Sequence, residues 1–218
     1  GIGLFRTEFA FLNRDEEPSV EEQTVEYKAV FDAFPGRHIV VRTLDAGADK
    51  PLPFLTDTSE PNPALGVRGY RTDWTSPGVL QRQIEAIAAA AKDSTADVWV
   101  MAPMISTAPE AHDFSAMLEE AGLKTHGVMV ETPSAAVTSR DILHEVDFVS
   151  MGTNDLTQYT MAADRLLGPL AELNNPWQPG VLRMIDLTVR GARQAEEETG
   201  KAKSVSVCGE AAADPALA

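Results

Sequence analysis

The sequence predicts an α/β protein of repeated βα units with a parallel sheet, and three observations carry that prediction. Short apolar runs alternate with segments of helical period, the runs are apolar on both faces, and charged residues follow most of them directly. Six units are expected, with strands at Ile2–Phe9, His38–Leu44, Val98–Met104, Gly127–Glu131, Val146–Met151 and Ser204–Cys208. A complete α/β barrel needs about 250 residues, and the chain has 218. One large, incomplete domain is therefore expected. Gly1-Ile2-Gly3-Leu4-Phe5 reads as the inside of a strand, and Asp214-Pro215-Ala216-Leu217-Ala218 stops where a helix is starting, so the chain is read as a fragment.

The helices follow from caps and stripes. Ser19 with Glu22 forms a capping box ahead of Tyr27, Val30, Phe31 and Phe34 on one face. Leu80, Ile84, Ile87, Ala88 and Ala91 make a second stripe. Thr107 with Glu110 caps a helix carrying Phe114, Met117 and Leu118, Thr132-Pro133 opens another, and Leu182, Ile185, Val189 and Ala192 line a later one. These stripes are core. The exception to short connections runs from Lys50 to about Pro77, rich in proline and holding Arg68, Arg71 and Trp74, and it is read as a functional lid.

Composition narrows the partners. A net charge of −15 argues against non-specific nucleic-acid or membrane binding, although a few arginines in one cleft can still hold a small anion. No segment has the length of a transmembrane helix or the form of a signal peptide, and the single cysteine, Cys208, excludes an internal disulfide. A cytoplasmic location is expected, with no nucleic acid and no membrane insertion.

In a parallel α/β fold, side chains just past the carboxyl ends of strands converge where ligands bind. That position holds Arg6 and Glu8, then Arg42, Asp45 and Lys50, then Met104, then Glu131, then Asn154, Asp155 and Arg165, and last Cys208 and Glu210. Arginine suits bidentate recognition of carboxylate or phosphate, and a charged residue ending the buried run before Arg42 must be paired or bind something. Glu131 and Asp155 end different strands, a common arrangement for Mg²⁺ completed by water and substrate oxygens. Arg165 is placed about three helical turns beyond Asp155 if that helix persists. Plainer readings stand beside these: an Arg6–Glu8 ion pair, carboxylates at helix starts, a buried inert cysteine. The histidines His38, His112, His126 and His144 are read as structural or exposed.

Six stretches in order carry a resemblance: Gly-Ile-Gly-Leu-Phe-Arg-Thr-Glu-Phe from Gly1, Arg-Thr-Leu-Asp-Ala-Gly-Ala-Asp-Lys from Arg42, Asn-Pro-Ala-Leu-Gly-Val-Arg-Gly-Tyr-Arg from Asn62, Gly-Val-Met-Val-Glu-Thr-Pro-Ser-Ala-Ala from Gly127, Gly-Thr-Asn-Asp-Leu-Thr-Gln-Tyr-Thr from Gly152 and Val-Cys-Gly-Glu from Val207. They resemble the phosphoenolpyruvate (PEP)-binding domain of the PEP-utilising enzymes, and within that family the Enzyme I branch of the bacterial PEP:sugar phosphotransferase system. The resemblance implies a (β/α)8 TIM-type barrel of which strands two to seven are present. It implies that Arg6, Arg42, Arg68 and Arg165 hold the phosphate and carboxylate of PEP with help from Lys50 and Asn154, that Glu131 and Asp155 bind Mg²⁺, and that Cys208 delivers a proton to the methylene carbon.

It also implies partners: an amino-terminal phosphohistidine domain, through it the phosphocarrier protein HPr, and a second copy in a homodimer. The family's acceptor histidine motif does not occur in these 218 residues, so binding of PEP without turnover is expected of this chain alone. Three alternatives remain open: the corresponding domain of pyruvate phosphate dikinase or PEP synthase, a non-catalytic PEP-binding or dimerisation module, and an unrelated Mg²⁺-dependent aldolase barrel.

Overall fold

The computed structural model describes residues 1–46 and 51–216. They form two compact units, the first comprising Gly1–Pro103 with Ala116–Thr125, the second Met104–Ser115 with His126–Ala218. The α/β reading holds in both. In the first unit β1 (Ile2–Arg6), β2 (His38–Arg42) and β3 (Asp97–Ala102) pair in parallel with β2 in the middle. In the second, β4 (Thr125–Val130), β5 (Phe148–Gly152) and β6 (Ser204–Cys208) do the same around β5. Sequential parallel order is what βα repeats produce, because each crossover helix returns the chain beside the strand it left.

Four strands end earlier than the apolar runs suggest, among them β2 at Arg42 and β4 at Val130. β1 stops at Arg6, because Thr7–Ala10 turns into a 3₁₀ helix whose Thr7 hydroxyl donates to Arg42 O at 2.9 Å. β3 stops at Ala102, and Met104 beyond it takes a left-handed backbone with φ of 59°. After β1 the next residue is thus set by a side-chain bond to the neighbouring strand rather than by the sheet ladder.

Helix α1 (Val20–Asp32) opens on the expected capping box, with Glu22 N–H on Ser19 Oγ at 3.2 Å and Ser19 N–H on Glu22 Oε2 at 2.9 Å. The long connection after β2 is less irregular than its prolines suggest. It contains 3₁₀ turns at Pro63–Leu65 and Gly69–Arg71 and a short helix α2 (Thr72–Thr75), and Tyr70 N–H ties it to Pro103 O at 3.2 Å. Gly78 has no side chain to cap α3 (Val79–Lys92), so Asp73 Oδ1 takes the N–H groups of Gly78 at 2.9 Å and Leu80 at 3.2 Å instead. Helices α1 and α3 pack on one another through Tyr27, Phe31, Ile84 and Ile87, all fully buried.

Helix α4 (Ala108–Glu120) begins with Thr107 N–H on Glu110 Oε2 at 2.9 Å. In the second unit α5 (Pro133–Val137), capped by Thr132, is followed by α6 (Ser139–Glu145), α7 (Thr153–Met161), α8 (Pro179–Thr199) and α9 (Glu210–Ala213). The histidines are structural or exposed, as expected: His126 is buried with Nδ1 2.9 Å from Ser115 Oγ, while His112 and His144 pair with Glu145 and Glu198 at the surface. Among the described residues no helix is long and apolar enough to cross a membrane.

Candidate active site

The first unit gathers its charges past the carboxyl ends of β1 and β2. Arg6 and Arg42 are lateral neighbours in the strand register, which places two guanidiniums at the same level. From there a line of ion pairs runs through the interior. Glu8 accepts from Arg42 Nη2, Arg42 Nη1 lies 3.3 Å from Asp45 Oδ2, and Asp45 receives Arg68 through Nε at 3.2 Å and Nη2 at 2.8 Å. Glu8, Arg42, Asp45 and Arg68 are all under a tenth exposed, so each charge depends on its neighbours for solvation.

Arg6 differs. Its side chain is 41% exposed and stands 3.9 Å from Glu8 Oε1, so the anticipated Arg6–Glu8 pair exists but is loose and leaves the guanidinium accessible to a ligand. Three arginines are thus joined to two carboxylates, and within this strongly acidic chain that cluster favours an anion. Glu8 Oε2 is buried and has no hydrogen-bond partner among the described residues. Lys50, also expected here, lies outside the described residues.

Arg68 is placed by its loop. Glu60 accepts Val67 N–H at 2.8 Å and sits where a Cβ on Gly66 would be, only 1.8 Å from Glu60 Oε1, while Arg71 Nη1 holds Gly66 O at 3.3 Å. The loop is clasped on both sides of the residue that supplies the Asp45 pair.

The second unit gathers carboxylates, an amide and the thiol at the ends of β4, β5 and β6. Glu131 follows β4, is 1% exposed, and accepts Met104 N–H on Oε1 at 2.7 Å. Its other oxygen hangs over Gly152, at 2.7 Å from where a Cβ there would stand. Gly152 is the N-cap of α7, and Asp155, 6% exposed, lies in that helix's first turn. Glu131 therefore lies against the residue that opens the helix whose first turn carries Asp155, an end whose N–H groups favour negative charge.

Gly152 also pairs in register with Cys208, which closes the group. Thr153 Oγ1 donates to Cys208 O at 2.8 Å, and Asn154 Oδ1 accepts Glu210 N–H at 3.1 Å. Gly209, at φ 83°, permits this approach, because a Cβ there would meet Thr153 Oγ1 at 2.8 Å and Asn154 Oδ1 at 2.9 Å. The Cys208 thiol donates to Met151 O at 3.4 Å, a bond that needs the proton on sulfur.

Arg165 arrives by a different route from the one the sequence suggests. Helix α7 ends at Met161 with Ala162 left-handed at φ 50°, and the chain folds back until Gln158 Oε1 accepts Arg165 N–H at 2.9 Å. That return sets Arg165 Nη1 3.7 Å from Asp155 Oδ2. A straight helix would have carried it away.

A hard cation fits this donor set through Glu131 and Asp155, since Mg²⁺ commonly takes one or two carboxylates and fills its remaining positions with water and substrate oxygens. No group of three or more His, Cys, Asp or Glu suited to a metal occurs among the described residues. The first unit thus carries a guanidinium cluster suited to an anion, and the second carries carboxylates and a thiol at its strand ends.

Comparison with known proteins names the family. Residues 1–218 match the PEP-utilising enzyme family's PEP-binding domain, and the chain belongs to that family. Its relatives include the phosphoenolpyruvate-protein phosphotransferases of Streptomyces coelicolor, 51% identical over 100% of this chain and 38% of that protein, and of Staphylococcus carnosus, 41% identical over 98% and 38%. The chain spans about two fifths of the length of these relatives. Among solved structures, an aldolase/citrate lyase family protein from Burkholderia cenocepacia aligns at a TM-score of 0.43 and 13% identity, over 85% of this chain and 84% of that one.

Proposed function

We propose that this chain is the PEP-binding domain of a cytoplasmic PEP-protein phosphotransferase, which binds Mg²⁺ and PEP and directs the phosphoryl group to a histidine on a separate amino-terminal domain. The observation that carries the reading is the buried line Glu8–Arg42–Asp45–Arg68, four ionised side chains kept inside one unit next to the accessible Arg6. Such a line is costly to desolvate, and a multiply charged anion beside it would meet guanidiniums already ordered. Through the histidine domain the phosphoryl group reaches HPr and serves sugar uptake, with the domain acting as a homodimer.

In this reading Arg6, Arg42, Arg68 and Arg165 take the phosphate and carboxylate oxygens, with Lys50 and Asn154 assisting, and Glu131 and Asp155 hold Mg²⁺. The metal supplies charge neutralisation at the phosphate and enolate oxygens when bound. Departure of the phosphoryl group leaves the enolate of pyruvate, whose charge the arginines stabilise in a site already organised for it. The Cys208 thiol then gives its proton to the methylene carbon. In the structure that proton is donated to the Met151 carbonyl, a long bond that the S–H gives up as it turns toward the carbon.

The full-length protein with PEP and Mg²⁺ is expected to form pyruvate and a phosphohistidine, and this chain alone to form neither. Pyruvate release by the chain alone would contradict the division of labour. A second expectation concerns Gly152→Ala. Its Cβ would meet Glu131 Oε2 at 2.7 Å and Met129 Sδ at 2.9 Å, so Glu131 must leave its place. The Mg²⁺ concentration that half-saturates PEP binding is expected to rise about tenfold to a hundredfold, the usual effect of disturbing a ligand's support. An unchanged Mg²⁺ requirement would remove Glu131 from the metal site.

A further inference from the structure

Between the apolar stripes of α1 and α3 runs a line of polar side chains with no exposure at all: Gln23, Tyr27 and Gln83 are each 0% exposed. The direction of every hydrogen bond in it is fixed by its two ends, since Pro18 O can only accept and Leu44 N–H can only donate. Gln23 Nε2 therefore donates to Pro18 O at 3.0 Å, Tyr27 O–H donates to Gln23 Oε1 at 3.0 Å, Gln83 Nε2 donates to the Tyr27 oxygen at 3.1 Å, and Gln83 Oε1 accepts Leu44 N–H at 2.7 Å. Burial pushes the Tyr27 hydroxyl well above its ordinary pKa, so it stays a donor.

The far end of this line is the site. The β2–β3 ladder makes its last bond at Thr43 N–H to Met101 O, at 3.0 Å. Leu44 comes next, with Arg42 two residues before it and Asp45 one after, and Gln83 acts as the acceptor that extends the ladder by one residue. The same side chain lines a small void with Gly69, Thr72 and Asp73, which follow Arg68 in the loop. Gln83 thus faces both segments that carry the line of ion pairs. A structural core amide needs only to be satisfied; this one is satisfied by an oriented line that ends between two of the site's charged residues.

We propose that Gln83 is a positioning residue for the anion-binding arginines, its amide oxygen, aligned by Tyr27 and Gln23, fixing the Leu44 N–H and with it the placement of Arg42 and Asp45, to which Arg68 is bonded. The inference rests on the PEP-binding reading. It assigns Gln83 no contact with the ligand; its action is through the strand end.

The test is made in the full-length protein with Gln83→Met, which fills nearly the same volume without an acceptor. The Kd and KM for PEP are expected to rise about tenfold, the scale of one lost buried hydrogen bond, while kcat for pyruvate formation stays within about twofold. Gln83→Glu, which still offers Leu44 an oxygen, is expected to recover most of the affinity. A lowered unfolding midpoint with PEP affinity unchanged in Gln83→Met would make the residue purely structural and overturn the proposal. If that variant does not fold, Tyr27→Phe decides: it leaves Gln83 on Leu44 but removes its anchor, and about threefold weaker PEP binding supports positioning, whereas unchanged affinity overturns it. Unaltered protein that fails to bind PEP would overturn the functional reading itself. Binding there with no change in the variants would sink this inference alone.

Discussion

Replacing Arg42 by alanine is expected to weaken PEP binding by about 2–5 kcal/mol and to lower the folding stability of the domain by a similar amount. The two losses have one cause. Arg42 is the central link between Glu8 and Asp45, and all three side chains are under a tenth exposed. Without it two carboxylates face each other's field from inside the protein, and Asp45 no longer holds Arg68 from a neutralised position. Isothermal titration with PEP reads the first effect and thermal unfolding the second. Arg42→Lys separates them, because lysine restores a charge to the interior but cannot serve Glu8 and Asp45 together in a planar fork. It should recover stability before it recovers affinity. Wild-type PEP affinity in Arg42→Ala would remove this line of ion pairs from the binding site.

Cys208→Ala is expected to leave PEP affinity within about twofold and to slow pyruvate formation about 10²–10³-fold in the full-length protein, the range for loss of a placed general acid. Cys208 is half-buried and pairs in register with Gly152, apart from the arginines assigned to the anion. Only proton delivery should suffer. PEP labelled stereospecifically with tritium at the methylene carbon, turned over in deuterium oxide, sharpens the test, since a placed acid gives a methyl group of one chirality and bulk solvent gives a racemic one. An unaltered rate with unaltered stereochemistry would exclude Cys208 from the reaction.

Much of this domain can be read directly along the chain. Strands covered by helices announce themselves as β-branched runs, and all six begin within two residues of where those runs start, with β6 matching at both ends. Caps at Ser19, Thr107 and Thr132 are local chemistry and fall where their residues indicate. What is not legible is where a tertiary bond overrides local preference. Thr7 turns the chain off β1 because its hydroxyl reaches Arg42 O on the next strand, thirty-five residues away. Arg165 returns to Asp155 because Ala162 adopts a left-handed backbone and Gln158 captures the following segment, neither of which a helical period reveals.

The candidate site residues are visible as charges at strand ends, but apart from Arg6 with Glu8 their mutual pairing is not. Asp45 could be named as a rim carboxylate; that it joins Arg42 to Arg68 depends on a loop whose course is set by Glu60 and by Tyr70. Gln83 is hidden in the sequence because it falls within a core stripe between Leu80 and Ile84. The signal was there: a fully buried glutamine on an apolar face, opposite Gln23 and Tyr27 on another, has to satisfy its amide somewhere.

The central claim is that this chain holds the PEP site, and the most direct measurement is calorimetric titration of the 218-residue chain with PEP, with and without Mg²⁺. The account predicts saturable binding of one PEP per chain that strengthens when Mg²⁺ is present and is lost in Glu131→Ala only in its metal-dependent part. Heat of dilution alone from a chain shown by circular dichroism to be folded, in both conditions, would contradict it.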